Sequence, residues 1–270
     1  MENVLVQNLN NVREDEIIYP YTEEYRNGEI NFKYWVVDEC SRFLYDPKDL
    51  VNSKILEGYK YLINKGDNIL NVGSGYGITN CIIRNLIGDK GAIVGVDPIP
   101  SNYLVSNSHF GLNNYSNCFF KNVAASYSND KCIVWNIPNS SVSYDHTDVP
   151  GETIAVNSIR CDELITEFGN FDTLILDVNG YEWLVLNGCF KILTTNVNLV
   201  INLDYTLLSY NNSTYENIFD IIKVDQYKGL MLLKNSNILE EFDPDKLLLN
   251  KESAVIFIKP KDFNNTNEKK

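Results

Sequence analysis

Three glycines at alternate positions, Gly73, Gly75 and Gly77, close the apolar run Ile69–Val72, and behind them Ile78, Ile82, Ile83, Leu86 and Ile87 recur at helical spacing. Strand, tight turn and helix is the reading of that pattern. Glycines in such a turn reach positive φ and carry no Cβ to hold a ligand off the backbone. The start of the following helix offers unpaired N–H groups and a positive dipole end, which suit a carboxylate or phosphate. Many turns of this kind bind nothing, so the second half of the pattern matters. Ala92 to Val96 reads as another buried strand, and it closes in Asp97, 20 residues beyond Gly77. In doubly wound sheets an acid at about that distance hydrogen-bonds ribose hydroxyls. Glycine turn and acid together imply a nucleoside-bearing ligand.

The glycine spacing narrows which one. A dinucleotide fingerprint would want glycine or alanine at position 78 or 80, where Ile78 and Asn80 stand, and the Gly-Lys-Ser/Thr of a phosphate-cradling loop is absent. Gly73-x-Gly75-x-Gly77 instead has the spacing of S-adenosylmethionine-binding loops, whose ligand lacks a pyrophosphate. Gly73, Ser74 and Gly75 are expected to wrap the methionine end. Methyl transfer needs in-line placement of an acceptor, and a base only where the acceptor is a hydroxyl. Asp177, which ends the apolar run from Phe171, is placed to orient cofactor or acceptor, although an acid that merely caps a helix would look the same. Glu182 could face the cleft or serve the helix dipole as a first-turn acid. His146, in the polar stretch Pro138 to Pro150, has the titration range of a general base, with a solvated loop histidine as the alternative. Asp145, His146 and Asp148 could hold a divalent metal with Asp177, but such clusters are usually hydrophilic loop, and no metal is assigned.

The elements that must position these residues alternate between strand and helix. Val51, Ile55, Tyr59, Leu62 and Ile63 make an apolar stripe behind Asp46-Pro47, an N-cap followed by proline at the first helical position. Residues 102–110 read as a helix after Pro98-Ile99-Pro100. Cys118 to Ala125 reads as one third strand, which puts Ala124 at a strand end beside the ligand. Residues 131–159 suit short antiparallel strands around a polar loop, and 162–168 a brief helix. Strands at 171–177 and 198–203, a helix at 215–222, and strands at 229–233 and 254–258 follow. The expected fold is α/β: a mainly parallel sheet of seven strands covered on both faces, with an antiparallel pair at one edge. Ligands of such sheets sit beyond the carboxyl ends of the strands, where Gly73–Gly77, Asp97, Ala124 and Asp177 all fall. Residues 1–45 are rich in tyrosine and phenylalanine without a sustained period, and read as a packed cap or a lid. The main domain is taken as 46–260 and the polar residues 261–270 as a frayed tail.

Composition bounds the alternatives. With 270 residues and 44% hydrophobic content the chain can bury a full core. A formal net charge of −13 disfavours nucleic acid, whose phosphates call for clustered Lys and Arg. The six cysteines are scattered without a C-x-x-C pair and no secretory leader is visible, which favours reduced thiols and a cytoplasmic setting. No apolar run approaches the ~20 residues of a membrane span. Nothing in the sequence sets an oligomeric state.

The segment Leu176-Asp177-Val178-Asn179-Gly180-Tyr181-Glu182-Trp183-Leu184-Val185-Leu186-Asn187-Gly188 resembles the Asp-Val-Glu-Gly-x-Glu-x-x-Val/Leu-x-Gly segment of the FkbM family of S-adenosylmethionine-dependent methyltransferases. Val96-Asp97-Pro98-Ile99-Pro100 resembles the family's acid-Pro-x-Pro, Asn122-Val123-Ala124-Ala125 its Asn-x-Ala, and Cys161-Asp162-Glu163-Leu164 its Leu-Asp-Glu-Leu. The likeness covers residues 65 to 258. It implies a class I methyltransferase-like Rossmann fold, S-adenosyl-L-methionine as cofactor, and methylation of oxygen, often on a sugar, glycan or small-molecule hydroxyl. Asn71, Ser74, Asn179 and Asn202 depart from the family, three of them where it carries or nears a carboxylate. A protein that binds S-adenosylmethionine or its demethylated product without turnover is therefore the alternative to an enzyme.

Overall fold

The computed structural model describes residues 20–37, 47, 54–136 and 152–261. In chain order the elements are a hairpin of β1 (Tyr21–Asn27) and β2 (Ile30–Val36), α1 (Lys54–Leu62), β3 (Asn68–Val72), α2 (Ile78–Ile87), β4 (Ala92–Val96) and α3 (Pro100–Leu112). Then come β5 (Cys118–Lys121), β6 (Ala124–Ala125), β7 (Lys131–Asn136), β8 (Glu152–Ile159), α4 (Cys161–Phe168), β9 (Thr173–Leu176), α5 (Glu182–Leu186) and α6 (Phe190–Leu193). The chain closes with β10 (Asn198–Leu203), α7 (Tyr205–Tyr210), α8 (Tyr215–Ile222), β11 (Tyr227–Leu233), β12 (Leu239–Glu241), α9 (Pro244–Asn250) and β13 (Ala254–Pro260).

The central strands are apolar on both faces because both faces are covered. Leu70 and Val72 of β3, Val94 and Val96 of β4, Leu174 and Leu176 of β9, and Leu199 and Ile201 of β10 point into one core. The residues between them, Ile69, Ile93, Ile175 and Val200, enter the core on the opposite face, with Tyr59 and Leu62 of α1 and Ile83 and Ile87 of α2. The strand order is β12-β11-β13-β10-β9-β3-β4-β5. β5, β4, β3, β9 and β10 run parallel, and β13 returns antiparallel between β10 and β11. Sequence order reverses between β3 and β9, so their carboxyl ends flank the crevice in which such sheets bind ligands.

Three expectations need correction. The main sheet has eight strands rather than seven, because β12 adds a short edge strand to β11. The third strand is not continuous: Asn122 turns its amide onto the Asp97 carbonyl at 3.0 Å, and the chain leaves β5 to start β6 in a separate sheet with β8 and β7. The amino-terminal aromatics do have a period. Ile30, Phe32, Tyr34 and Val36 alternate inward and join Tyr21 and Tyr25 in a core with Leu56, Ile78, Cys81 and Ile82. The boundary drawn at residue 45, the tail from 262, and the stretch containing His146 lie outside the described residues. Among the described residues no helix is long and apolar enough to cross a membrane.

The outer edge of the hairpin is closed by side chains rather than by another strand. Backbone N–H groups of Asn31, Lys33 and Trp35 donate to Asn85 Oδ1, Asn113 Oδ1 and His109 Nε2 at 3.0, 2.7 and 2.9 Å. His109 is fully buried, and burial pulls its imidazole from 6.5 down to about 4. Only the neutral ring can accept the Trp35 N–H. The folded state therefore keeps His109 unprotonated where the unfolded chain binds a proton, so this contribution is complete above pH 6.5 and is lost as pH falls toward about 4. Urea titrations at pH 7 and pH 4 should show wild type losing more stability than His109→Gln, by on the order of 3 kcal/mol. Equal losses in the two proteins would show that His109 does not carry the acid sensitivity.

Candidate active site

The turn after β3 is fixed by its neighbours on both sides. Gly73 and Ser74 donate backbone N–H groups to the Val96 carbonyl at the end of β4, at 2.8 and 3.2 Å. Gly75 donates to Asp97 Oδ2 at 2.9 Å. Gly73 has φ +80°, and a Cβ there would stand 1.9 Å from the carbonyl oxygen of Asp177. α2 starts directly at Gly77 with no side-chain cap, which leaves its first N–H groups for a ligand or water.

The turn opens onto a cleft of about 350 Å³ at the carboxyl ends of the parallel strands. Gly73, Ser74, Gly75, Asp97, Ala124 and Asp177, widely separated in sequence, all line it, joined by Thr79, Asn102, Asn179, Tyr181, Leu184 and Asn202. None of the described lining residues is Lys, Arg or His. Ser74 Oγ is buried and has no hydrogen-bond partner among the described residues. Asp97 is buried and does structural duty as well: Oδ1 accepts from Ile99 N–H at 3.0 Å and Asn102 Nδ2 at 2.8 Å, and Oδ2 from Gly75. Burial raises its carboxyl, and these three donors pull it back down. No local signal in the sequence marked Asn102 as this clamp.

Asp177 follows β9 and is open to the cleft, with its N–H tied to the Val72 carbonyl at 3.0 Å. Protein crowding it on its other sides raises its carboxyl, and Asn202, which donates Nδ2 to Oδ1 at 2.9 Å, opposes the rise. Glu182 is corrected from cleft residue to loop anchor. It is fully buried, lies outside the lining, and takes the N–H groups of Val178 and Gly180 on Oε1, each at 3.2 Å. That anchor shapes the loop after Asp177, where Asn179 at φ 53° and Gly180 at φ 96° both occupy the left-handed region. Asparagine and glycine are the residues that tolerate it, which accounts for Asn179 without a catalytic role. Asn71 is likewise buried outside the cleft, with Nδ2 on Asn80 Oδ1 at 2.7 Å. His146, Asp145 and Asp148 fall outside the described residues, and among those described no group of three or more candidate ligands could hold a metal.

Burial raises Glu182 from 4.5 to about 7, and the Asp177 charge adds to the rise. The folded state then binds a proton that the unfolded chain releases, so the contribution is complete below pH 4.5 and is lost as pH rises through about 7. Glu182→Gln keeps an acceptor for both N–H groups and cannot ionise. Between pH 5 and pH 8, denaturant titrations should show wild type falling relative to this variant by on the order of 3 kcal/mol. Parallel pH curves would remove the raised titration.

The residues fit S-adenosylmethionine by charge and by shape. Among the described lining residues two carboxylates and no cation face a ligand bearing a sulfonium, and the Gly73 backbone approaches it without a Cβ, whereas the charge of a pyrophosphate would meet no Lys or Arg there. Several solved structures are similar to this one at low identity. A fibrillarin from Aeropyrum pernix with natively bound S-adenosyl-L-methionine is 15% identical, over 76% of this chain and 74% of that one, at a TM-score of 0.43. A SAM-dependent O-methyltransferase from Thermotoga maritima is 13% identical, over 88% and 77%, at 0.44. A precorrin-6y C5,15-methyltransferase from Geobacter metallireducens is 11% identical, over 77% and 88%, also at 0.44. These are likenesses only and carry no argument about reaction or acceptor. A search of curated proteins finds no match. The profile described as the methyltransferase FkbM domain matches residues 66–228, more than half of the chain and all of the elements that build the cleft. The chain belongs to the FkbM methyltransferase family, with S-adenosyl-L-methionine as its cofactor.

Proposed function

We propose that this protein methylates an oxygen of a hydroxyl-bearing acceptor, a sugar, a glycan or a small metabolite. The observation that carries the reading is the placement of Asp97 and Asp177 around one glycine turn, the first partly engaged by backbone and amide donors and the second open to the cleft. S-adenosylmethionine supplies an electrophilic methyl group on a sulfonium centre. Asp97 would hold the ribose, Gly73, Ser74 and Gly75 the amino-acid end, and Ala124 one wall of the nucleoside site. Asp177 is the residue proposed to meet the acceptor and receive the proton that a hydroxyl must give up. His146 is kept as a further candidate base. The absence of a cation among the described lining residues and a net charge of −13 favour a neutral acceptor over a nucleic acid. Five cysteines among the described residues are free thiols, which supports a reducing, cytoplasmic setting.

S-adenosylhomocysteine should raise the melting temperature and NAD should not. A ligand at a hundredfold excess over Kd stabilises the native state by about 2.7 kcal/mol, which is a shift of several degrees for a domain of this size. Asp97→Asn keeps Oδ1 for Ile99 and Asn102 but puts an NH₂ at the Oδ2 position, where it faces the ribose site and loses the bond from the Gly75 N–H. Calorimetry should find S-adenosylhomocysteine bound at least tenfold more weakly, because a charge-assisted hydrogen bond is worth about 1.5–3 kcal/mol. Stabilisation by NAD alone would overturn the cofactor site. Unchanged affinity in a folded Asp97→Asn protein would leave Asp97 purely structural. Labelled S-adenosylmethionine incubated with glycans and hydroxylated metabolites should then transfer label, and tight binding without transfer to any acceptor would favour a binding protein over an enzyme.

A further inference from the structure

β9 and β10 are parallel neighbours with Leu176 opposite Ile201, so the next residues along, Asp177 and Asn202, stand side by side at the carboxyl edge of the sheet. Both line the cleft, and Asn202 Nδ2 reaches Asp177 Oδ1 at 2.9 Å. Among the described residues no other side chain or backbone group donates to this carboxylate. The direction of the bond is fixed by chemistry, since an ionised carboxylate only accepts and only the NH₂ of the amide can donate. Oδ2 carries no such partner. Asn202 was noted in the sequence only as a departure from a carboxylate expected after this strand, and in the structure it has a task.

We infer that Asn202 is the positioning residue of the acceptor end, holding Asp177 Oδ1 so that Oδ2 is presented, ionised, to the acceptor hydroxyl. The inference rests on the methyl-transfer reading and adds to it the residue that governs the base. In the reaction the hydroxyl proton passes to Oδ2 while the acceptor oxygen forms its bond to the methyl carbon, and the electron pair of the broken carbon–sulfur bond stays on sulfur, which becomes a neutral thioether. The surroundings otherwise oppose its charge or leave it alone. Protein packed around Asp177 raises it, and Glu182 from α5 is near enough for the Asp177 charge to raise its own carboxyl in turn. Tyr59 from α1 is a buried phenol held well above the neutral range, so it brings no charge. β3 contributes only Val72 and the backbone of the glycine turn.

An amide suits this place for a definite reason. A carboxylate at position 202 would lie about 3 Å from Asp177, close enough for the two to share one proton and for one of them to stay neutral. A lysine would neutralise the base it was meant to support. The asparagine donates one hydrogen bond and adds no charge, so Asp177 stays ionised and gives up less basicity than it would beside a cation.

The test reads Asp177 directly. Carboxyl ¹³C titration of aspartate-labelled protein, with the signal assigned by its loss in Asp177→Asn, is compared for wild type, Asn202→Leu, Asn202→Asp and Asn202→Gln. Loss of the donor in Asn202→Leu should raise the Asp177 midpoint by about one unit, a tenfold gain in proton affinity and the order expected of one hydrogen bond to a charged group. Asn202→Asp should raise it further, and Asn202→Gln should restore it in part. S-adenosylhomocysteine affinity should stay within about twofold throughout, because the nucleoside end is untouched. With an acceptor in hand, the acidic limb of kcat should move upward in Asn202→Leu by the same amount as the midpoint. An unmoved Asp177 midpoint in folded Asn202→Leu, or a kcat limb that stays put while the midpoint moves, overturns the inference. Failure of the wild type to bind S-adenosylhomocysteine, or to transfer label to any acceptor, would instead sink the methyl-transfer reading, and the titration would still decide whether Asn202 governs Asp177.

Discussion

The contact between Gly73 and the main chain of Asp177 is the constraint from which the rest of the site follows. No side chain fits there, since a Cβ on Gly73 would stand 1.9 Å from the Asp177 carbonyl oxygen. The contact brings the ends of β3 and β9 together at the point where strand order reverses, and the Asp177 N–H bonded to Val72 holds them in step. Once those two ends meet, the glycine turn has one direction open to it. It leans on the end of β4 through Val96 and closes on Asp97 through the Gly75 N–H. The cleft opens between these fixed backbones.

Neutral donors do most of the electrostatic work. Asp97 is held by two backbone N–H groups and Asn102, Asp177 by Asn202, and Glu182 by two backbone N–H groups. A cation beside any of these carboxylates would form a tighter pair, but it would also repel a cationic cofactor. Amide and backbone hydrogen bonds avoid that conflict, since they stabilise the ionised form without cancelling its field. The amides Asn71 and Asn202, which stand where the family carries or nears acids, each have a partner in the structure. Asn71 serves a buried pair with Asn80 outside the cleft, and Asn202 serves the carboxylate within it.

The amino-terminal hairpin is joined to the domain by the same means. Its inner side chains pack on α2, while its outer backbone edge is satisfied by Asn85, Asn113 and His109. An unpaired strand edge invites pairing with another chain, and side-chain acceptors placed along it remove that hazard. His109 also lies on α3, the helix whose first turn carries Asn102, so hairpin and Asp97 clamp share one rigid element.

What the sequence determined by itself were the features whose causes are local. The continuous apolar runs of β3, β4, β9 and β10, the helical stripe of α2, and the glycine turn with acids at strand ends depend on neighbours a few residues away. These were legible, and with them the fold class, the cleft's place and the family. Tertiary structure decided whatever depends on a partner far along the chain. Asn202 meets Asp177 across 25 residues, Trp35 meets His109 across 74, and Asn122 breaks the third strand by bonding to a carbonyl 25 residues back. Glu182 looked the same in sequence whether it faced the cleft or the loop. Its carboxyl was claimed by the N–H groups of Val178 and Gly180, in a loop where Asn179 and Gly180 take left-handed conformations. A hydrogen bond is satisfied by whichever group arrives in space, and residue spacing does not encode which one that will be.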